Sequence, residues 1–308
     1  MRKFRQLGDR LAGVSMGSLA IAVAALVFFV TLALLIRSLP LLKEHPIQQL
    51  FTTFSWRPAK NEFGFLPFIA GTIWVTTLAM ILAAPPCLLC AIYLAEYVPQ
   101  RARSLLKPLI DLLAGVPSVV YGLCGVLVVV PFVRDTIVPF ARRYLSFVPL
   151  FRVTNPTGYC ALSGGIVLAV MVFPLIISLA DEVLRAVPQE MREAALAIGA
   201  THWQMITGVV LRRAQPGIIA AIVLGFARAF GETMAVMMVV GNSPQVPRSL
   251  LDAAYPLPAL IANNYGEMMS IPLYDAALMM AALVLLTITL GFTIIARIVL
   301  LRATRRAV

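Results

Sequence analysis

Six apolar runs, at residues 14–36, 67–95, 109–131, 159–181, 217–241 and 274–299, occupy most of the chain. Each is about long enough to cross a bilayer, whose ~30 Å hydrocarbon core takes roughly 20 apolar residues in helical form. Inside that core no water satisfies the backbone, so a crossing segment must close its own hydrogen bonds. The expected fold is therefore all-α, a polytopic membrane protein with about six transmembrane helices. Composition agrees: 60% of residues are hydrophobic and 13% charged, and the mean hydropathy of +0.91 lies far outside that of soluble domains. The first run follows MRKFRQLGDR and holds about 23 apolar residues, against the ~7–15 of a signal-peptide core. No small-residue cleavage site clearly follows it, so it is expected to remain as a span.

Basic residues resist translocation, and their positions orient the chain. With the N-terminus inside, fifteen of the 25 Lys and Arg residues fall in cytoplasmic segments and nine outside, leaving Arg228 within a span. Both termini are then expected in the cytoplasm, with the protein multi-pass in the bacterial inner membrane. The outer loop 132–158 runs against the bias, with four arginines and a single acidic residue, Asp135. Two readings stand for it: arginines snorkelling to lipid headgroups, or a surface that attracts anions or docks a partner. The net charge of +11 needs no nucleic acid, since no DNA- or RNA-binding motif accompanies it.

Catalytic signals are missing. Cys87 and Cys90 form a CxxC inside the second run with no second pair to complete a thiolate site. The only histidines are His45 and His202, and neither a Walker A sequence nor a nucleophile elbow occurs. The chain is not expected to be an enzyme; no catalytic residue, metal ligand or cofactor of its own is assigned.

Breaks within the spans are more informative. Pro85 and Pro86 are expected to interrupt the second, and Pro117 the third, where Ser118, Tyr121, Gly122 and Gly125 lie near one helical face. Irregular backbone at membrane depth needs internal partners or a water-lined cavity, so these residues form either a packing seam or a pathway. The fifth run, VLGFARAFGETMAVMMVVG from residue 223, carries Arg228 and Glu232. In a helix over 217–241, Arg228 sits near the midplane, where an exposed charge costs ~2.5–3.5 kcal/mol. Glu232 is expected one turn further along the same face, within reach of the guanidinium. The pair either locks helix packing or serves a passing ligand.

Residues 182–216 form the longest inside segment, with Pro188 opening a short helix and turn. By itself this fits an interfacial helix. Within it, Glu193, Ala194 and Ala195, with Gly199 four residues later, resemble the EAA loop of ABC importer permeases; the family's later I-x-L-P becomes Val209, Leu211 and Arg212. Three further stretches, FGFLPFIAGTIWVTTLAMILAAPPCLLCAIYLAEY, LLAGVPSVVYG and GFARAFGETMAV, resemble the phosphate ABC transporter permeases, PstC-type more than PstA-type.

That resemblance spans about 63–300. It divides the chain into a loosely matching 1–62, a permease core at 63–300 with a coupling helix at about 188–205, and a basic tail at 301–308. It implies a type I ABC importer permease fold and a PstA-like second permease subunit. It further implies two PstB-like ATPase subunits that hold ATP and Mg, and a periplasmic PstS-like phosphate-binding protein. Glu193, Ala194, Ala195 and Gly199 would dock on the ATPase. Thr72, Ser118, Tyr121, Arg228 and Glu232 would line the translocation pathway, with Arg228 offering its donors to phosphate and Glu232 tempering them. Permeases for phosphonate, molybdate or sulfate share this architecture. A proton-coupled secondary transporter would also use an intramembrane Arg and Glu but has no use for an ATPase-docking loop.

Overall fold

Prolines and glycines, more than hydropathy, set where the long helices begin and end. The computed structural model describes residues 2–266 and 272–307. Among these residues six helices are long and apolar enough to cross a membrane. The order is α1 (Arg2–Glu44) and α2 (Ile47–Thr52), a two-stranded hairpin of β1 (Trp56–Arg57) and β2 (Glu62–Phe63), α3 (Leu66–Glu96) and α4 (Gln100–Ala114). Next come α5 (Ser118–Tyr144), α6 (Ala161–Arg185), α7 (Gln189–Ala197) and α8 (His202–Phe230). The chain closes with α9 (Met234–Met237), α10 (Leu257–Asn264) and α11 (Pro272–Ala307).

The centre of the bundle is the long pairing of α3 with α6. Val75, Ala79, Ala83 and Cys87 of α3 pack on Leu168, Val172 and Ile176 of α6, with Ala229 and Val236 completing the cluster. A side chain at Gly165 would meet the Leu78 side chain at 2.8 Å, so Leu78 fills the space that a larger residue there would need. Helix α1 packs along α11, and none of its most apolar window is buried, which leaves that stretch free to face lipid. Between α1 and α3 the small hairpin, which the apolar runs did not reveal, sets Trp56 against Phe63, Phe65, Phe68 and Tyr274 with ring centroids 4.9–5.9 Å apart.

Three span boundaries depart from expectation. Pro85 and Pro86 do not break α3, which continues through both. The missing N–H groups are tolerated because α3 is held along its length by α6, as membrane helices held by neighbours allow. The third span begins at Ser118 rather than near 109: residues 109–114 close the separate amphipathic helix α4, and Pro117 forces the preceding backbone out of helical geometry. Helix α5 then runs to Tyr144 by inserting π turns at Gly125–Val129 and Val133–Ile137. Each lies just before a proline, Pro131 or Pro139, and absorbs the loss of its N–H. The fifth span starts at His202 and stops at Phe230, so the expected helix over 217–241 is not formed.

Candidate functional site

The end of α8 decides the geometry of the charged pair. Arg228 occupies its last turn and Gly231 follows as the cap; Glu232 lies in the non-helical break before α9. Stacking of residues four apart needs one uninterrupted turn. The backbone leaves the helix between them, and no ion pair joins the two. The expected Arg228–Glu232 ion pair is therefore corrected. Arg228 is exposed and has no hydrogen-bond or ion-pair partner among the described residues. It lies within electrostatic reach of the Tyr121 phenol, and the partial negative charge at a helix C-terminus favours a cation in its place. Glu232 turns the other way: its Oε1 accepts the Ala235 N–H at 3.3 Å, satisfying one of the orphan donors at the start of α9.

Glu232 also lines a cavity of ≈ 10 Å³ with Thr72, Thr76, Pro256 and Pro258, about the space of one water. The Thr72 hydroxyl there is already engaged. It donates to Phe68 O at 2.7 Å and accepts the Leu257 N–H at 2.9 Å, tying α3 to the start of α10. Tyr121 donates to Leu113 O at 2.7 Å, bracing the elbow between α4 and α5, and half-buried Ser118 opens α5 beside it. Gly122 and Gly125 belong to packing: Cβ atoms there would stand 3.1 Å from Ala235 Cα and 2.8 Å from Val239. The close approach they permit seats α9 against α5. Tyr121, Arg228 and Glu232 thus surround one helix break, with Thr72 behind it.

The segment at the other end of α6 is a second candidate surface. Ile198 caps the C-terminus of α7, and Gly199 takes φ +88°. The Gly199 N–H bonds to Leu196 O at 3.0 Å and the Ala200 N–H to Ala195 O at 3.2 Å. Those two bonds make a Schellman turn, which requires the left-handed conformation glycine adopts without strain. A capping box between Thr201 and Gln204 then opens α8. The region 188–205 is two helices joined by this turn.

Ala195 is buried and Glu193 and Ala194 are exposed, beside Leu196 and an Ile198 that is 87% exposed. What fixes α7 is a contact that sequence reading missed. Arg192 is buried against Glu96 at the end of α3, with its Nη1 2.5 Å from Glu96 Oε2 and its Nη2 donating to Leu184 O at 2.8 Å. Nearby, Arg103 of α4 pairs with Asp181 of α6, and Lys107 reaches Glu182 at 3.0 Å. Glu96 and Asp181 each sit where an apolar run ends, which signalled a carboxylate needing a partner without saying which. No group of His, Cys, Asp or Glu suited to a metal ion occurs among the described residues.

Comparison with known proteins fits this architecture. The family described as binding-protein-dependent transport system inner membrane component matches residues 87–305. The phosphate transport system permease protein PstC of Xylella fastidiosa (strain Temecula1) is 39% identical over 259 residues, covering 83% of this chain and 79% of that protein. The probable phosphate transport system permease protein PstC of Methanocaldococcus jannaschii is 36% identical over 262 residues, covering 84% and 82%. The probable ABC transporter permease protein YqgH of Bacillus subtilis is 38% identical over 254 residues, covering 82% and 77%. Among solved structures, a chain of the inward-facing MetNI methionine ABC transporter superposes with a TM-score of 0.54 at 16% identity over 81% of this chain and 99% of that one, a likeness of fold alone. With the matched region extending from the middle of α3 to the end of α11, this multi-pass chain belongs to the family of binding-protein-dependent transport system inner membrane components.

Proposed function

We propose that the chain is a permease subunit of an ATP-driven importer of inorganic phosphate, with both termini in the cytoplasm. The observation that carries the reading is the unpaired Arg228 at the end of α8. A planar guanidinium fork matches the oxygens of phosphate, and among the described residues no carboxylate pairs with it. Glu232, engaged with the start of α9, keeps a negative charge near enough to limit how tightly an anion is held. Tyr121 braces the α4–α5 elbow beside Arg228, Ser118 opens the helix that carries it, and Thr72 positions the wall behind. Relatives named as phosphate permeases supply the substrate.

The chain provides half of the path; a homologous permease provides the other half. ATP and magnesium belong to two ATPase subunits that dock on α7. Its outward face supports this over a lipid contact, since Glu190 and Glu193 stand among its exposed residues and anionic headgroups would repel them. An ion-pair anchor at Arg192 passes the movement of the docked ATPase to α3. A periplasmic phosphate-binding protein delivers the substrate at the opposite end.

The test is reconstitution with the partner subunits in vesicles, measuring assembled complex and labelled phosphate uptake together. Arg228→Gln should leave assembly and ATPase binding intact and abolish uptake, and Arg228→Lys should restore only part of it. Loss of the assembled complex along with uptake would return Arg228 to a packing role.

A further inference from the structure

The arginines of the outer loop separate in the structure. Arg134 pairs with its neighbour Asp135 at 2.7 Å, and the Arg143 guanidinium lies 5.4 Å from the Tyr144 ring centroid. Arg152 instead lines a cavity of ≈ 260 Å³ together with Arg248 from the segment after α9. This cavity shares Thr154, Arg248 and Asp252 with a larger one of ≈ 740 Å³ that continues to Ser243 and Gln245. The combined hollow lies at the end of the bundle opposite α7, beyond the break that holds Arg228.

Its charge is unbalanced. Among the described residues Asp252 is the only carboxylate lining either part, and its oxygens are occupied. Oδ2 accepts the N–H groups of Arg248 and Ser249, each at 2.9 Å, and Oδ1 accepts the Thr154 hydroxyl. Arg152 and Arg248 have no hydrogen-bonding or ion-pair partner for their guanidinium groups among the described residues. Nor are they on independent, wandering loops. The Leu250 N–H and the Ser249 hydroxyl both bond to Leu150 O, at 2.9 and 2.8 Å, and the Leu162 N–H bonds to Leu250 O at 2.8 Å. The segment bearing Arg248 is thereby stitched to the one bearing Arg152, two residues from the junction. Two cations carried on held backbone and lining one concavity, with the local acid already satisfied, focus a positive potential there. Guanidinium forks paired in this way suit an anion with several oxygens.

We propose that this hollow is an oxyanion site, in which Arg152 and Arg248 hold a phosphate group before it reaches Arg228. The identity of the anion rests on the phosphate-import reading above. Free phosphate handed over by the binding protein and the headgroup of a phospholipid present the same chemistry, and experiment separates them.

The assembled complex, purified without its binding protein, is titrated with labelled inorganic phosphate at low ionic strength, as wild type, Arg152→Gln, Arg248→Gln, the double variant and Arg228→Gln. Both arginines are exposed, so their replacement leaves the fold intact. Loss of charge-assisted hydrogen bonds should weaken binding on the order of tenfold per arginine. Arg228→Gln removes the inner contact, so the binding that remains in it reads the outer site alone. Phospholipid that copurifies with wild type but not with the double variant, without binding of free phosphate, would keep the oxyanion site and assign it to a headgroup. Unchanged phosphate affinity in the double variant overturns the proposal; if that variant also fails to capture the binding protein, the arginines form a docking surface. Uptake by the wild-type complex tests the import reading independently, since saturable binding and uptake of sulfate or molybdate in place of phosphate would overturn that reading and leave the oxyanion site standing.

Discussion

Arg192→Met tests how α7 is tied to the transmembrane bundle. In the native chain the guanidinium and its partner are nearly sealed, with 10% of the Arg192 side chain and 3% of the Glu96 side chain exposed. Methionine fills similar space but leaves the Glu96 carboxylate buried without a counter-charge, and removes the donor from Leu184 O. Breaking one side of a buried pair costs ~3–5 kcal/mol, mostly because the surviving charge is stranded. Only the short helix α7 depends on this contact, so the loss should appear as local opening before global unfolding. Hydrogen exchange on the assembled complex should show the amides of α7 exchanging at least ~100-fold faster, since each ~1.4 kcal/mol is a factor of ten in an opening equilibrium. Those of α3 and α6 should change little, and ATPase subunits should dissociate more readily. Adding Glu96→Met should recover most of the protection, because two apolar side chains replace the pair without a stranded charge. The reasoning fails if Arg192→Met leaves α7 as protected as wild type, or if the double variant is damaged by the sum of the two single changes.

Three further outcomes are expected. Gly199 has open space around its Cα but φ +88°, so Gly199→Val should cost ~1–2 kcal/mol through backbone strain and weaken ATPase association, whereas Gly199→Asn, at ease in that conformation, should retain it; pull-down of the ATPase compares them. Thr72→Val removes the acceptor for the buried Leu257 N–H and should destabilise the α3–α10 contact by ~1–3 kcal/mol, read as a lower melting temperature of the purified complex. In a chain with its four native cysteines replaced, Ala59→Cys and Ala262→Cys should react with an impermeant thiol reagent outside intact cells while Gln189→Cys and Ala303→Cys do not; labelling of Gln189→Cys as fast as Ala59→Cys would reverse the orientation.

Hydropathy made the number of spans legible because the bilayer imposes length and apolarity on each helix separately. It did not find their edges where an apolar run crosses a backbone break. Leu109, Leu112 and Leu113 look continuous with Val119 and Val120, yet Pro117 divides them into an amphipathic helix and a span. The same lack of contrast hid the end of α8, since Phe230 and Met234 on either side of Gly231 are equally apolar. Pro85 and Pro86 erred in the opposite direction, because the packing of α6 along α3 overrides their local preference. Gly199 was placed in a docking motif on sequence grounds, but the Schellman turn that demands glycine there depends on bonds visible only in the fold. The partners of Glu96 and Asp181 lie 96 and 78 residues away in sequence, and no local pattern encodes such a distance.

The break between Arg228 and Glu232 changes what the two charges can do. In one unbroken helix they would neutralise each other, and an arriving anion would have to displace a carboxylate already in place. With α8 ending at Phe230, each charge finds a favourable end of a different helix: the cation at the C-terminus of α8, the anion against the first amides of α9. The guanidinium therefore needs no side-chain partner to be stable where it stands, and its donors stay available. The two charges are also carried on separate pieces of backbone, α9 being pressed against α5 at Gly122 and α8 packed on α6 and α11. Helix α9 also contacts α6, so α6 holds both pieces near one another while the break gives each charge a different helix end. A single unbroken helix would instead set the two side chains on one face, one turn apart.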